Sequence, residues 1–264
     1  MKKSILALIT ILCLINMGYA QDKNLFEKQL FISGEDTLLC RILSPLNFEA
    51  TKKYPVVVFL HGAGERGNDN EAQLNWGADA FLDSLTRVKY PAIVIFPQCP
   101  KNSKWSEYNK SSASDSTGYS WPSEQKMFTS LKLVMDFIDT LRESSQVDSK
   151  RIYLGGLSMG GFGTLELLWR RPELFAAAFP ICGAVNPEKS KKFKSNLPLW
   201  IFHGDSDPVI PVSNSRLLYS FLKDKSKKVK YTEYPGVGHN SWTNAMNEPQ
   251  LMEWLFAQKL KGKK

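Results

Sequence analysis

Two periodicities follow one another in the stretch Arg151-Ile152-Tyr153-Leu154-Gly155-Gly156-Leu157-Ser158-Met159-Gly160-Gly161-Phe162. Arg151–Leu154 is a short apolar run of strand type, and the residues from Phe162 to Leu168 open a helical pattern. Between them stands Gly156-Leu157-Ser158-Met159-Gly160, a G-x-S-x-G sequence. The pattern alone is common; its place between strand and helix makes it specific. A tight strand-to-helix turn strains the serine backbone and presents its hydroxyl above a sheet, the geometry of a nucleophile elbow. Glycines flank the serine because a side chain there would collide with neighbouring backbone.

Outward from this turn, short apolar runs suit buried parallel strands: Tyr54–Leu60, Ala92–Phe96, Ala176–Ile181, Leu199–His203 and Val229–Tyr234. Helical spacing runs from Glu124 to Glu143, where Met127, Phe128, Leu131, Val134, Met135, Ile138 and Leu141 recur three or four apart. Gly160–Arg170, Ser213–Lys223 and Glu248–Leu260 read the same way. Strands alternating with helices predict an α/β fold around a mostly parallel central sheet. At the front, Leu25 to Leu43 reads as a β-hairpin turning at Ser33-Gly34-Glu35-Asp36. Pro97–Ser123 is the one long irregular stretch, rich in Ser, Lys and aromatics, and is a candidate lid or pocket wall.

A serine hydroxyl is a weak nucleophile near neutral pH and needs a base beside it. The chain has 3 histidines. The order serine, acid, histidine belonging to elbow-bearing α/β proteins leaves His203 and His239. His203 ends a strand and reads as a structural hydrogen bonder, whereas His239 lies in the flexible Gly236-Val237-Gly238-His239-Asn240 and is the expected base. The acid comes from His203-Gly204-Asp205-Ser206-Asp207-Pro208. Asp205 follows the strand directly and suits a turn cap; Asp207 lies further out, stiffened by Pro208, and is preferred with both left open. Oxyanion donors are expected from the backbone of Met159, next to the serine, and of Ala63 in the glycine-rich Leu60-His61-Gly62-Ala63-Gly64-Glu65-Arg66-Gly67. No spacing resembles H-E-x-x-H, which argues against a zinc hydrolase.

The chain has 264 residues, 43% hydrophobic and 23% charged, enough for one large core and unlike disordered, collagen-like or multi-span membrane chains. Its net charge of +8 comes from scattered lysine runs without a recognition motif, so no nucleic-acid partner is expected. Lys2 and Lys3 precede an apolar stretch from Ile5 to Met17, and Gly18-Tyr19-Ala20 offers a cleavage site. The reading is a signal peptide at 1–20, a catalytic domain at 21–264 without a membrane span, and a secreted or periplasmic location. Cys13 leaves with that leader. Cys40, Cys99 and Cys182 lack C-x-x-C spacing and read as buried inert thiols, with one disulfide among them left open.

Together His61-Gly62-Ala63-Gly64, Gly156-Leu157-Ser158-Met159-Gly160, His203-Gly204-x-x-Asp207 and Gly238-His239 resemble the α/β-hydrolase superfamily. More narrowly the chain resembles secreted esterases related to phospholipase/carboxylesterases, feruloyl and acetylxylan esterases and polyhydroxybutyrate depolymerases. Gly62–Gly67, Pro97-Gln98-Cys99-Pro100 and Gly238-His239-Asn240-Ser241-Trp242 resemble a branch often labelled predicted peptidase. The resemblance spans roughly Tyr54 to Leu260. It implies Ser158 as nucleophile, His239 as base, Asp207 as acid, Ala63 and Met159 as oxyanion donors, and no cofactor or metal. It also implies Trp242 near the site's mouth. Trp76, Trp105, Tyr108, Tyr119 and Trp121 lie in loop-like sequence suited to a sugar or aromatic acyl group, with Trp105 and Trp121 taken as substrate-binding. The expected substrate is a small-molecule or oligosaccharide ester, acetyl or feruloyl. A serine peptidase and a catalytically silent binding protein are the alternatives.

Overall fold

The structure, a computed structural model, describes residues 22–111 and 117–261. The expected leader at 1–20 lies outside the described residues, as does Cys13. The chain runs β1 (Phe26–Ser33), β2 (Asp36–Leu43), β3 (Tyr54–Leu60), α1 (Ala78–Leu82), α2 (Ser84–Lys89), β4 (Ile93–Gln98), β5 (Asn109–Lys110) and β6 (Tyr119–Ser120). It continues through α3 (Thr129–Glu143), β7 (Val147–Leu157), α4 (Met159–Arg170), β8 (Ala177–Ile181) and α5 (Pro187–Ser190). Last come β9 (Leu199–Gly204), α6 (Ser213–Lys223), β10 (Val229–Tyr234), α7 (Trp242–Met246) and α8 (Leu251–Phe256).

Eight strands form one sheet in the order β1-β2-β4-β3-β7-β8-β9-β10. The pairs from β4 to β10 are parallel, and β1 and β2 add an antiparallel hairpin at one edge. Gly34 turns that hairpin with φ of +63°, a conformation open to glycine. Every residue of β3 is buried, as a strand covered on both faces requires. Alternation sends Val56, Val58 and Leu60 toward Leu131, Val134 and Ile138 of α3 and Leu165 and Leu168 of α4. Val57 and Phe59 face the other way, toward Phe81, Phe179, Phe202, Leu251 and Leu255. The two cores are thus the two faces of a single sheet.

Sequence periodicity placed most elements within a few residues and missed others. α3 starts at Thr129 rather than Glu124, because Phe128 is extended and buried Gln125 is bound to Glu166. The last helix is shorter than 248–260. Beyond it, Tyr153 donates its hydroxyl to the Gln258 carbonyl and Leu260 bonds Lys150, so this tail docks on β7. α1 and α2 were not anticipated; the Asp83 carboxylate caps α2 by accepting the Thr86 N–H at 2.8 Å. Among the described residues no helix is long and apolar enough to cross a membrane.

Candidate active site

β7 drives into the middle of the sheet and turns sharply into α4 at Ser158, whose φ of +52° and ψ of −118° lie where non-glycine residues are strained. The surroundings hold it there. Ser158 N–H donates to the Ile181 carbonyl at 2.9 Å, and the Ser158 carbonyl accepts from Phe162 at 3.1 Å. A Cβ on Gly160 would collide with the Leu60 carbonyl, and one on Gly156 with the Gly160 carbonyl. The flanking glycines are therefore a steric requirement of three backbones meeting, as expected. The hydroxyl itself is half-buried and points to the loop after β10.

That loop carries His239. Its Nε2 lies 2.9 Å from Ser158 Oγ, and its Nδ1 lies 2.8 Å from Asp207 Oδ2. A carboxylate only accepts, so Nδ1 carries the hydrogen and Nε2 is left to receive one from the serine. Asp207 Oδ1 accepts the N–H groups of Val209 at 2.8 Å and Ile210 at 2.9 Å. Burial alone would push this carboxyl up; hydrogen bonds from His203, His239 and those two amides outweigh it and hold Asp207 far below the usual carboxylate range. Asp205 is occupied elsewhere, accepting Gly236 N–H at 2.7 Å and the Ser206 hydroxyl at 2.8 Å. The two aspartates left open by the sequence thus have distinct surroundings: Asp205 caps a turn and Asp207 meets the imidazole.

Of the other histidines, His203 is fully buried with Nδ1 2.7 Å from Ser215 Oγ and Nε2 3.0 Å from the Ile210 carbonyl. His61 accepts Cys99 N–H on Nε2 at 2.9 Å and has Nδ1 2.6 Å from the Gly62 carbonyl. Burial pushes its pKa down to about 4, which keeps it neutral. Neither reaches Ser158.

The loop after β3 lies across the elbow: a Cβ on Gly62 would stand 3.8 Å from Ser158 Cβ. Ala63 opens its single 3₁₀ turn and Met159 opens α4, so both expected donor amides lie at the starts of helical turns flanking Ser158. Glu65, given no role by the sequence, is buried inside this loop. Burial raises its pKa, opposed by hydrogen bonds from its own amide, the Gly62 amide and the Trp76 indole. The only sequence signal for it was an acidic side chain set among glycines.

Trp242, in α7, meets His239 edge-on at 5.3 Å between ring centroids and meets Trp76 at 5.8 Å. It stands beside the proposed base. Trp121 lines a cavity of about 490 Å³ with Tyr119, Val185, Leu217 and Phe221. Trp105 is a correction. Its side chain is fully buried, its indole N–H donates to the His61 carbonyl at 3.1 Å, and it packs against Gly163, so it braces the loop after β3 instead of facing a substrate. Cys40, Cys99 and Cys182 are buried free thiols, and no disulfide joins them. Cys182, also at positive φ, was not flagged by the sequence as a neighbour of the site; its Sγ lies 3.6 Å from the His239 carbonyl. Cys182, Asp207 and His239 offer ligand-type atoms within 4.8 Å of one another, yet the hydrogen bonds just described already occupy them.

A family model described as phospholipase/carboxylesterase matches residues 47–251. The chain is similar to a solved thermostable esterase, with 37% identity and a TM-score of 0.80, covering 90% of this chain and 64% of that one. It is 27% identical over 215 residues to acyl-protein thioesterase 1 of Neurospora crassa, covering 77% of this chain and 86% of the relative. It is also 25% identical over 171 residues to the bifunctional acetylxylan esterase/xylanase XynS20E of Neocallimastix patriciarum, covering 64% of this chain and 21% of that protein. The chain therefore spans just under two thirds of the esterase and about a fifth of the bifunctional enzyme.

Proposed function

Because the chain belongs to the phospholipase/carboxylesterase family of α/β-hydrolases, we propose that it is a serine hydrolase of carboxylic esters acting through Ser158, His239 and Asp207. The observation that carries this reading is the unbroken hydrogen-bonded line Ser158 Oγ, His239 Nε2 and Nδ1, Asp207 Oδ2. Ser158 Oγ attacks the ester carbonyl carbon while its proton passes to His239 Nε2. The carbonyl oxygen takes up the electron pair facing the amides of Ala63 and Met159. When the tetrahedral species collapses, the ester C–O bond breaks and His239 returns the proton to the departing alcohol. Water then attacks the acyl-serine, again giving a proton to His239, and the acid leaves as Ser158 regains its hydrogen. Asp207 holds the imidazole tautomer and offsets its transient positive charge.

The favoured substrates are short or aromatic acyl esters of carbohydrates. Trp242 beside His239, Trp76 packed on Trp242, and the cavity carrying Trp121 and Tyr119 suit flat rings. The relative named for acetylxylan esterase activity supports the same choice. The lysine-led apolar leader supports an exported enzyme meeting such polymers. The thioesterase relative favours a second reading, acyl thioesters, which the same residues would cleave. Purified protein assayed on nitrophenyl acetate, acetylated and feruloylated xylo-oligosaccharides, an acyl thioester and aminoacyl peptides tests all of these. Sugar-ester turnover is expected to dominate; efficient peptide cleavage with inert sugar esters would overturn the substrate class.

A further inference from the structure

Asp207 faces two imidazoles, and the proposed mechanism uses one. His203 Nε2 lies 3.3 Å from Asp207 Oδ2, the oxygen that also takes His239 Nδ1. The same Nε2 lies 3.0 Å from the Ile210 carbonyl. A carboxylate and a carbonyl only accept, so Nε2 of His203 must carry a hydrogen shared between them. Its Nδ1 is then left to accept the Ser215 hydroxyl hydrogen at 2.7 Å. The two histidines therefore hold opposite tautomers: Nε2–H in His203 and Nδ1–H in His239. Both converge on one carboxylate oxygen whose side chain is wholly buried.

We propose that His203 is a positioning residue for the reaction, turning Asp207 Oδ2 toward His239 and sharing its negative charge. The assignment rests on the Ser158–His239–Asp207 reading. Val209 and Ile210 anchor only Oδ1, so rotation about that oxygen is checked at Oδ2 by the two imidazoles alone among the described contacts. Without His203, the whole charge of Oδ2 falls on His239 and holds a proton there more tightly, leaving less free base at a given acidic pH.

The groups facing His203 are known from each side. Ser215 comes from α6, Asp207 and Ile210 from the loop after β9, and Glu233 stands in register with it on β10, engaged by Arg216 and Tyr231. Around His239 stand Ser158, Asp207, Cys182 and Trp242. Asp207 and Glu233 are the acidic members of the two sets, and Arg216, paired with Glu233, is the cationic one.

His203→Gln restores an N–H donor near the Nε2 position, whereas His203→Met fills volume without one. Active enzyme is counted by fluorophosphonate titration, and kcat, KM and the pH profile of kcat/KM are measured on nitrophenyl acetate. His203→Met is expected to lower kcat per active site by about 10- to 100-fold with KM within about twofold. It should also move the acidic limb to higher pH, and His203→Gln should recover most of both. A Met variant with the wild-type limb and turnover, or a Gln variant as impaired as Met with the limb unmoved, overturns the assignment. Should the variants not fold, ¹⁵N spectra of the wild-type imidazoles decide: a hydrogen on Nδ1 of His203 overturns it, one on Nε2 supports it. Wild-type protein unlabelled at Ser158 would remove the triad reading itself, which separates the two failures.

Discussion

The turn around Ser158 and the described residues between Lys104 and Phe128 reach their shapes by different means. At the turn, backbones touch: strands β3 and β7 and helix α4 approach so closely that Gly156 and Gly160 admit no side chain. The described residues of that segment, 104–111 and 117–128, form a ladder at β5 and β6 and are otherwise pinned by side chains reaching far along the chain. Trp105 bonds the His61 carbonyl, Ser130 bonds the Lys104 carbonyl, and Gln125 bonds Glu166 beside Arg170. A local steric rule leaves a readable pattern in the sequence. A long-range hydrogen bond does not, because neither partner announces the other.

The largest effect expected from breaking either region is chemical and sits at the turn. Ser158→Ala should lower kcat by about 10⁴-fold or more with unfolding stability nearly unchanged, since alanine keeps the Cβ and loses only the half-buried hydroxyl. Ester hydrolysis close to wild type in a protein lacking that hydroxyl would end the serine mechanism. Next in size is the pair of aspartates. Asp207→Asn should cost about 10⁴-fold, because an amide facing Nδ1 favours the wrong imidazole tautomer. Asp205→Asn changes a turn cap on Gly236 and should cost under about tenfold. Measured side by side on one ester, the reverse ranking would transfer the acid's role to Asp205.

The same contrast explains what was legible in the sequence. The run Tyr54–Leu60 matched the observed β3, because burial on both faces of a sheet writes itself into consecutive apolar residues. Val229–Tyr234 instead matched β10, a half-buried edge strand, through its β-branched and aromatic residues. The serine, histidine and aspartate proposed for catalysis could be picked out of the sequence because chemistry restricts residue type and the fold restricts their order. Trp105 was misread because an indole serves equally well as a buried brace and as a binding surface, and only the His61 carbonyl decides which. Glu65 and Cys182 were missed because their partners lie across the site: the Trp76 indole for one and the His239 carbonyl for the other.

Two tryptophans sharpen the comparison within the second region. Trp105→Ala removes a fully buried side chain and should cost about 3–5 kcal/mol of stability, seen as a lower denaturation midpoint. Trp121→Ala, at the partly exposed cavity wall, should cost about 1 kcal/mol or less and instead raise KM for aromatic acyl esters. Equal losses of stability with unchanged KM would show that Trp121, too, only braces the loop.

The last expected effect comes from the buried thiols and is small until the pH passes that at which an unfolded cysteine ionises. Burial pushes Cys182, under the turn, and Cys40, on β2, up to about 12, and Cys99, leading into the second region, up to about 11. An unfolded cysteine ionises near about 8.5. Below that pH both states keep the proton, and the thiols' contribution to stability is fully present. As pH rises further the unfolded chain loses protons first, so each buried thiol should lower stability by about 1.4 kcal/mol per pH unit until the folded thiol ionises too. Denaturation under reducing conditions at pH 8, 9 and 10 reads this slope. Cys99→Ala should flatten it while leaving kcat alone, whereas Cys182→Ala should flatten it and also lower kcat, because its thiol supports the His239 carbonyl at 3.6 Å. If the slope is the same with and without Cys99, that thiol's burial does not reach the stability of the fold. If Cys182→Ala keeps full activity, the loop bearing His239 is held by Asp207 and Trp242 without it.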